Sequence, residues 1–205
     1  AVEDIFARLD RMKAILGDPD VTSMRMVVNL EKMVIKEAQR LYTYLSLFGF
    51  PVDAIVANRV LPEAARSSYF DRWFEIQAGH LQSARTGFDP IPFFQARLFD
   101  REMIGLELLS AFADDVFGAA DPTDVLYRAK AIAVKREAGA YALYVRLPFA
   151  EKDRIQVWTE GEELVLQVDN QRRHMLLPRS LASRKLKGAV FKDQRLRLTF
   201  GEKED

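Results

Sequence analysis

Asn58 closes the most apolar run in the chain, Val52 to Ala57, and is followed by Arg59-Val60-Leu61-Pro62. A carboxamide carries a donor and an acceptor side by side, which is what the edge of a purine base requires of a bidentate partner. Asparagine is also common at strand ends and turns, where it bonds its own backbone. The position therefore carries two readings, a base contact or a chain turn. Asn29 ends an earlier apolar run, Met24 to Val28, and Ala96 to Arg101 follows a third that begins Ile91-Pro92-Phe93-Phe94. If the three runs are parallel strands, these positions border the crevice beyond their carboxyl ends, where open α/β sheets take ligands.

Other chemistries find less support. No G-x-x-x-x-G-K-[ST] occurs, nor any glycine-rich turn able to wrap phosphates in backbone N–H groups. Cysteine is absent, which excludes disulfides, thiolate zinc sites and catalytic thiols and fits a reducing compartment. His80 and His174 have no second histidine or carboxylate at metal-ligand spacing, so neither catalytic residues nor metal ligands are predicted. Glu162 and Glu163 flank a turn, where paired acids face water. A basic stretch, Arg172, Arg173, Arg179, Arg184, Lys185, Lys187, Lys192, Arg195 and Arg197, contains Asp193 as its one acid. It reads either as a face for nucleic acid, acidic peptide or phosphate-bearing lipid, or as a solvated face balanced by acids elsewhere. Phe70, Trp73, Phe74, Phe93 and Phe94 have the spacing of core residues, with a client groove as the other reading.

The elements that must hold these residues are well punctuated. The 205 residues balance 30 basic against 30 acidic side chains and are 49% hydrophobic, so real cores are expected and no global charge draws a polyanion. No apolar run reaches the roughly 18 residues of a membrane span. The chain opens in an amphipathic helix, with Ile5, Leu9, Met12 and Leu16 at i, i+4, i+7 and i+11, which suggests a fragment and no signal peptide. Asn29 is expected to cap a helix with Glu31 in its first turn, ending at Gly49. Further helices are predicted through Phe70 to Leu81 and from Met103 to Phe117. Strands alternating with helices imply a mostly parallel sheet. Asp121-Pro122 predicts a short linker helix running into a charged connector that ends near Ala138-Gly139. Beyond it the pattern has period two, in Tyr141 to Leu147, Ile155 with Val157, Leu164 to Val168, and Leu196 to Phe200. Turns are predicted at Glu160-Gly161-Glu162, Asp169-Asn170 and Lys192-Asp193. The expected organisation is an α/β domain over 1–138 and a small antiparallel β-sandwich over 139–205.

The segment TSMRMVVNLEKMVIKEAQRLYTYLSLFGFPVDAIVANRVLP resembles the C-terminal half of the ArsA family of arsenite-pump and tail-anchored-protein-targeting ATPases. ARLFDREMIGLELL is similar to the family segment that surrounds the adenine. The resemblance implies the C-terminal part of a parallel-sheet P-loop NTPase fold. It further implies that ATP or ADP is held with Asn58 on the adenine, Arg59 and Pro62 beside it, and Arg97, Leu98, Phe99 and Asp100 on its other side. Two positions depart from the family pattern: Leu30 and Arg97 stand where relatives carry proline, and arginine leaves φ unfixed. The family's phosphate loop, its water-directing aspartate and its magnesium-holding switches have no counterpart here. The chain alone is therefore expected to bind a base without hydrolysing ATP, and an N-terminal ATPase half, in the same or a separate chain, is the implied partner.

The segment from Tyr141 to Phe200 looks like the α-crystallin-type domain carried by some bacterial ArsA-like proteins. That resemblance implies a client- or partner-binding sandwich, and the parent is expected to be a cytoplasmic homodimer. The rival expectation is a non-enzymatic interaction module whose α/β half is only a scaffold.

Overall fold

The structure, a computed structural model, describes residues 2–128, 131–137, 140–161, 163–182 and 184–203. By internal contact the chain divides into two compact units. One comprises Ser23–Gln39 and Val52–Arg128, the other Ala1–Thr22, Arg40–Pro51 and Ala129–Asp205. The expected boundary at residues 138 and 139 lies outside the described residues.

The first unit is built on strands β1 (Met24–Asn29), β2 (Val52–Val60) and β3 (Phe93–Arg97), parallel and in the order β1-β2-β3. Helices α2 (Lys32–Phe48, of which residues 32–39 belong to this unit), α3 (Asp71–Phe88) and α4 (Leu106–Phe117) alternate with them, as the spacing predicted. The central strand β2 is buried without interruption from Val52 to Val56 and on to Ala57, the signature of a strand covered on both faces. Ala54, Ile55 and Ala57 are fully buried, while Val56 packs with Ala96 and Val116 from β3 and α4.

One member of that apolar run is a carboxylate. Asp53 is fully buried and accepts hydrogen bonds from Arg25 Nε and Nη2, each at 3.2 Å, and from the Leu126 amide at 3.2 Å. The same guanidinium donates to the carbonyls of Pro122 at 2.6 Å and Asp124 at 2.9 Å. A single buried ion pair thus ties the chain after α4 back to the amino end of the sheet.

Two local expectations are corrected. Asn29 does not cap α2: it is the last residue of β1, paired with Asn58, and the first helical bond runs from the Ile35 amide to the Glu31 carbonyl. Pairing in the sheet holds Asn29 extended, so the start of the helix moves two residues on. Nor does Asp121-Pro122 begin a helix. The Asp121 carboxylate takes both the amide and the hydroxyl of Thr123, closing a turn in which a side chain replaces the helical carbonyl.

In the second unit, α1 (Val2–Gly17) forms as predicted but buries none of its residues, so Ile5, Leu9 and Met12 present the expected stripe to the surface. The segment read as a connector is instead a strand, β4 (Ile132–Glu137), because its alternating apolar residues Ile132 and Val134 pair with Val145 and Leu143 of β5 (Ala140–Arg146). Strands β6 (Ile155–Glu160), β7 (Glu163–Val168) and β8 (Gln171–Leu176) form one antiparallel sheet. A short helix α5 (Arg179–Ala182) leads to β9 (Arg184–Lys192) and β10 (Arg195–Lys203), which complete a second sheet of order β4-β5-β10-β9.

Period-two positions from both sheets meet in one core. Leu143, Val145, Leu147, Leu164, Leu166, Val168, Leu196, Leu198 and Phe200 are all buried there, with Leu47 and Leu181 added from helices. Each such side chain contributes about 1.5–3 kcal/mol of transfer free energy. The predicted turns lie where the chain reverses. Asp169 adopts φ 52, and Asp193 and Gln194 adopt φ 50 and 59, the left-handed pair a tight hairpin needs. Glu162, the third residue of another predicted turn, is outside the described residues.

Candidate functional site

At the carboxyl end of β2 the ladder becomes irregular on one side only. Against β1 the register runs evenly from Arg25 opposite Ala54 to Asn29 opposite Asn58. Against β3, Ala57 pairs with Gln95 and Val60 with Arg97, so β2 carries one residue more than its neighbour over Asn58-Arg59. Such a bulge re-aims side chains where a strand ends. Arg59 takes φ 56, a left-handed conformation that an L side chain adopts only when its surroundings impose it.

What surrounds it is α3. Gln77 accepts a hydrogen bond from the Leu61 amide through Oε1 at 2.7 Å and donates through Nε2 to the Arg59 carbonyl at 3.2 Å. On the same helix face, Phe70, Trp73 and Gln77 stand at i, i+3 and i+7. Phe70 and Trp73 remain 37% and 54% exposed, so the reading of these two as core is corrected. They face the strand ends across an open cleft and are not packed into the sheet. Phe94 does join the core, with Val56, Ala96 and Val116, and its ring centroid lies 5.1 Å from that of Phe117.

The pocket between these elements is about 170 Å³ and is lined by Asn29, Leu30 and Glu31 from the β1 exit, Asn58, Arg59 and Leu61 from the β2 exit, Phe70 at the N-cap of α3, and Trp73, Ile76 and Gln77 from α3 itself. A cavity of about 150 Å³ is the size that holds a single benzene ring. This one suits one flat ring system with its edge on an amide and its faces on aromatic or aliphatic walls, and it is too small for a whole nucleotide. Glu31 supplies an exposed carboxylate at its rim.

The remaining candidate residues lie close by in different roles. The Leu98 amide donates to the Val60 carbonyl at 2.8 Å, joining the β3 exit to the β2 exit. Arg97, in place of a φ-fixing proline, is anchored from its side chain: Nε donates to Asp115 at 3.0 Å and Nη2 to the other oxygen of the same carboxylate. That hydrogen bond raises the Arg97 pKa above its ordinary value. The Phe99 ring lies 5.8 Å from Phe112, and the Asp100 carboxyl is held below its usual range by hydrogen bonds from Arg101, the shorter at 2.9 Å. Pro62 precedes a 3₁₀ turn over Glu63–Ala65, its carbonyl accepting from the Ala65 amide at 2.9 Å. Asn58 and Arg59 thus share the pocket, whereas Pro62 and Arg97 to Asp100 form the neighbouring exit and do not line it.

The sequence reading missed Glu31, Phe70, Trp73 and Gln77 as parts of one site. A signal was present in the spacing of Phe70, Trp73 and Gln77, since a polar carboxamide in register with two aromatics on one face is out of place in a core stripe.

The basic stretch of the second unit does not make a single face. Register places Arg172 opposite Gln167 and Arg173 opposite Leu166, on opposite sides of the sheet. Arg172 bonds Gln167 and lies 5.2 Å from the Trp158 ring. Arg173 donates to the Leu47 carbonyl in the last turn of α2, and burial pushes its pKa down. Arg184 donates to the Ser180 and Gly201 carbonyls, and Arg197 pairs with Glu137 at 2.6 Å. These four guanidinium groups act as structural partners. No group of acids and histidines able to hold a metal occurs among the described residues, and none of the described helices is long and apolar enough to cross a membrane.

Residues 1–118 match the family described as anion-transporting ATPase, and residues 138–200 match the HSP20-like domain found in ArsA. Similar proteins include the putative arsenical pump-driving ATPases of Prosthecochloris vibrioformis and Chlorobaculum tepidum, each 37% identical over 200 residues, covering 98% of this chain and 49% of the relative. The putative arsenical pump-driving ATPase 1 of Aquifex aeolicus is 34% identical over 185 residues, covering 88% of this chain and 47% of that protein. The chain spans about half the length of these relatives.

Proposed function

Because the chain belongs to the anion-transporting ATPase family, we propose that it forms part of an ATP-binding, ATP-hydrolysing protein, to which it contributes the face that holds the adenine. The observation that carries this reading is the Asn58 carboxamide in a pocket of about 170 Å³ whose far wall is Phe70 and Trp73. The amide oxygen accepts from the exocyclic amine of adenine while the amide nitrogen donates to the adjacent ring nitrogen; guanine presents N1–H and O6 to the same amide only when it is rotated, so the choice of base depends on how the amide is held. The Glu31 carboxylate at the rim is suited to accept from a ribose hydroxyl, as acidic residues do in other nucleotide folds. Arg97 to Asp100, joined to β2 through the Leu98 amide, stand at the neighbouring strand exit, outside the pocket itself.

The residues present fit a base and not a phosphate chain. No glycine-rich loop in the sequence supplies the amide donors that phosphates and magnesium require. ATP or ADP is thus bound jointly, with phosphates and magnesium held by an N-terminal ATPase half. The exposed flank of the sheet supports such a partner: β1 is an edge strand among the described residues, and Val27 on it is 64% exposed. The HSP20-like sandwich serves a protein client or partner, and the whole acts as a cytoplasmic homodimer. The kind of fold supports that role, and the residues that line the pocket support the base site.

The test is equilibrium binding of a fluorescent adenine nucleotide to the full-length protein and its Asn58→Ala variant. Loss of a paired amide contact predicts affinity at least about tenfold weaker. Unchanged affinity refutes the site and favours a scaffold role for the α/β half.

A further inference from the structure

We propose that Gln77 is the positioning residue of the Asn58 pocket, holding the bulged peptide after Asn58 and through it the angle at which the Asn58 amide meets a base. The proposal rests on the reading of Asn58 as a base contact.

The geometry is specific. A bulge takes backbone groups out of the ladder, and the extra residue of β2 falls at Asn58-Arg59. Arg59 is held at φ 56, where an L residue is unfavourable on its own account and stays only under outside constraint. Gln77 serves the carbonyl of Arg59 and the amide of Leu61, so its two bonds bracket Val60 and hold the strained residue by its own carbonyl. The Arg59 carbonyl accepts and the Leu61 amide donates, so the clamp must do both. A carboxamide does both; a carboxylate only accepts, an aliphatic chain does neither, and asparagine is one methylene too short. Trp73 lies one turn earlier on the same face of α3, so the clamp also registers the aromatic wall across from Asn58.

A side chain that merely stabilises the fold alters melting temperature and leaves base preference alone. A positioning residue alters the preference. In the full-length protein, ATP and GTP are competed separately against a fluorescent adenine nucleotide, and the ratio of their affinities is compared among variants alongside thermal unfolding. Gln77→Leu is expected to reduce the ATP-over-GTP preference about tenfold, the equivalent of one net hydrogen bond. Gln77→Glu keeps the bond from the Leu61 amide, loses the one to the Arg59 carbonyl, and falls between. In an Asn58→Ala background, where the amide is gone, Gln77→Leu is expected to change the ratio no further.

If Asn58→Ala lowers the preference while Gln77→Glu and Gln77→Leu keep the wild-type ratio, the positioning role is overturned and the base site stands. Additive losses in the double variant overturn it as well. If Gln77→Leu does not fold, the Gln77→Glu ratio decides the matter. If Asn58→Ala itself keeps the wild-type preference, the base site fails and the positioning role with it.

Discussion

Replacing Asp53 by alanine removes the one carboxylate in the central strand and with it three hydrogen bonds, two from Arg25 and one from the Leu126 amide. Breaking a buried ion pair from one side costs about 3–5 kcal/mol, mostly through the charge left behind. Here Arg25 is 24% exposed and retains the carbonyls of Pro122 and Asp124, which places the loss near the lower end, about 3 kcal/mol. With a urea m-value of about 2 kcal/mol/M, the midpoint falls by about 1.5 M. The two tryptophans lie in different units, so urea unfolding followed at Trp73 in a Trp158→Phe background reads the unit that contains Asp53. Hydrogen exchange supplies the local signature, since the Leu126 amide loses its acceptor and its protection. Arg25→Met combined with Asp53→Leu is expected to recover stability to within about 1 kcal/mol of wild type, because both charges then leave together. A midpoint shift below about 0.5 M for Asp53→Ala, or an unchanged exchange rate at Leu126, refutes the role assigned to the pair.

Two further perturbations address the second unit. Gly49 adopts φ 81, and a Cβ there lies 3.2 Å from the Arg173 guanidinium. Gly49→Ala is therefore expected to cost about 1–2 kcal/mol in chemical denaturation, with Arg173→Met removing most of the steric part of that cost. Glu137 accepts hydrogen bonds from Tyr144 and Arg197, which hold its carboxyl below the usual range. A folded pKa lower than the unfolded one gives stability that is complete above the unfolded value and is lost as pH falls through the folded one. Acid titration of thermal stability is thus expected to show a low-pH limb that flattens in Glu137→Gln, and an identical limb in that variant refutes the contribution.

The parallel sheet was legible in the sequence because its strands are short apolar runs ended by polar residues and separated by helical periodicity. The hairpins of the sandwich were legible because glycine, aspartate and asparagine mark left-handed turn positions. The exceptions are instructive. Residues 132–137 look like a charged connector because Val134, Lys135 and Arg136 are exposed, and the alternation that marks a strand rests on Ile132 and Val134 alone. Asp121-Pro122 carries the residues of a helix start, yet a side chain closing its own turn competes for the same backbone groups.

The candidate site divides in the same way. That Asn58 ends an apolar strand, and that its amide carries donor and acceptor together, follow from residue order and chemistry alone, as does the absence of any phosphate loop from this stretch of chain. Family resemblance added the adenine. That Asn58 stands at a bulge, that Arg59 is left-handed, that Gln77 clamps the peptide beside it and that Trp73 forms a wall instead of a core contact were decided only by tertiary structure. The physical reason is that a periodic stripe reports which residues share a helix face, whereas what that face meets depends on where a distant strand ends. The sequence determined the elements and the chemistry each can carry; the packing of α3 against the end of β2 decided which of them meet.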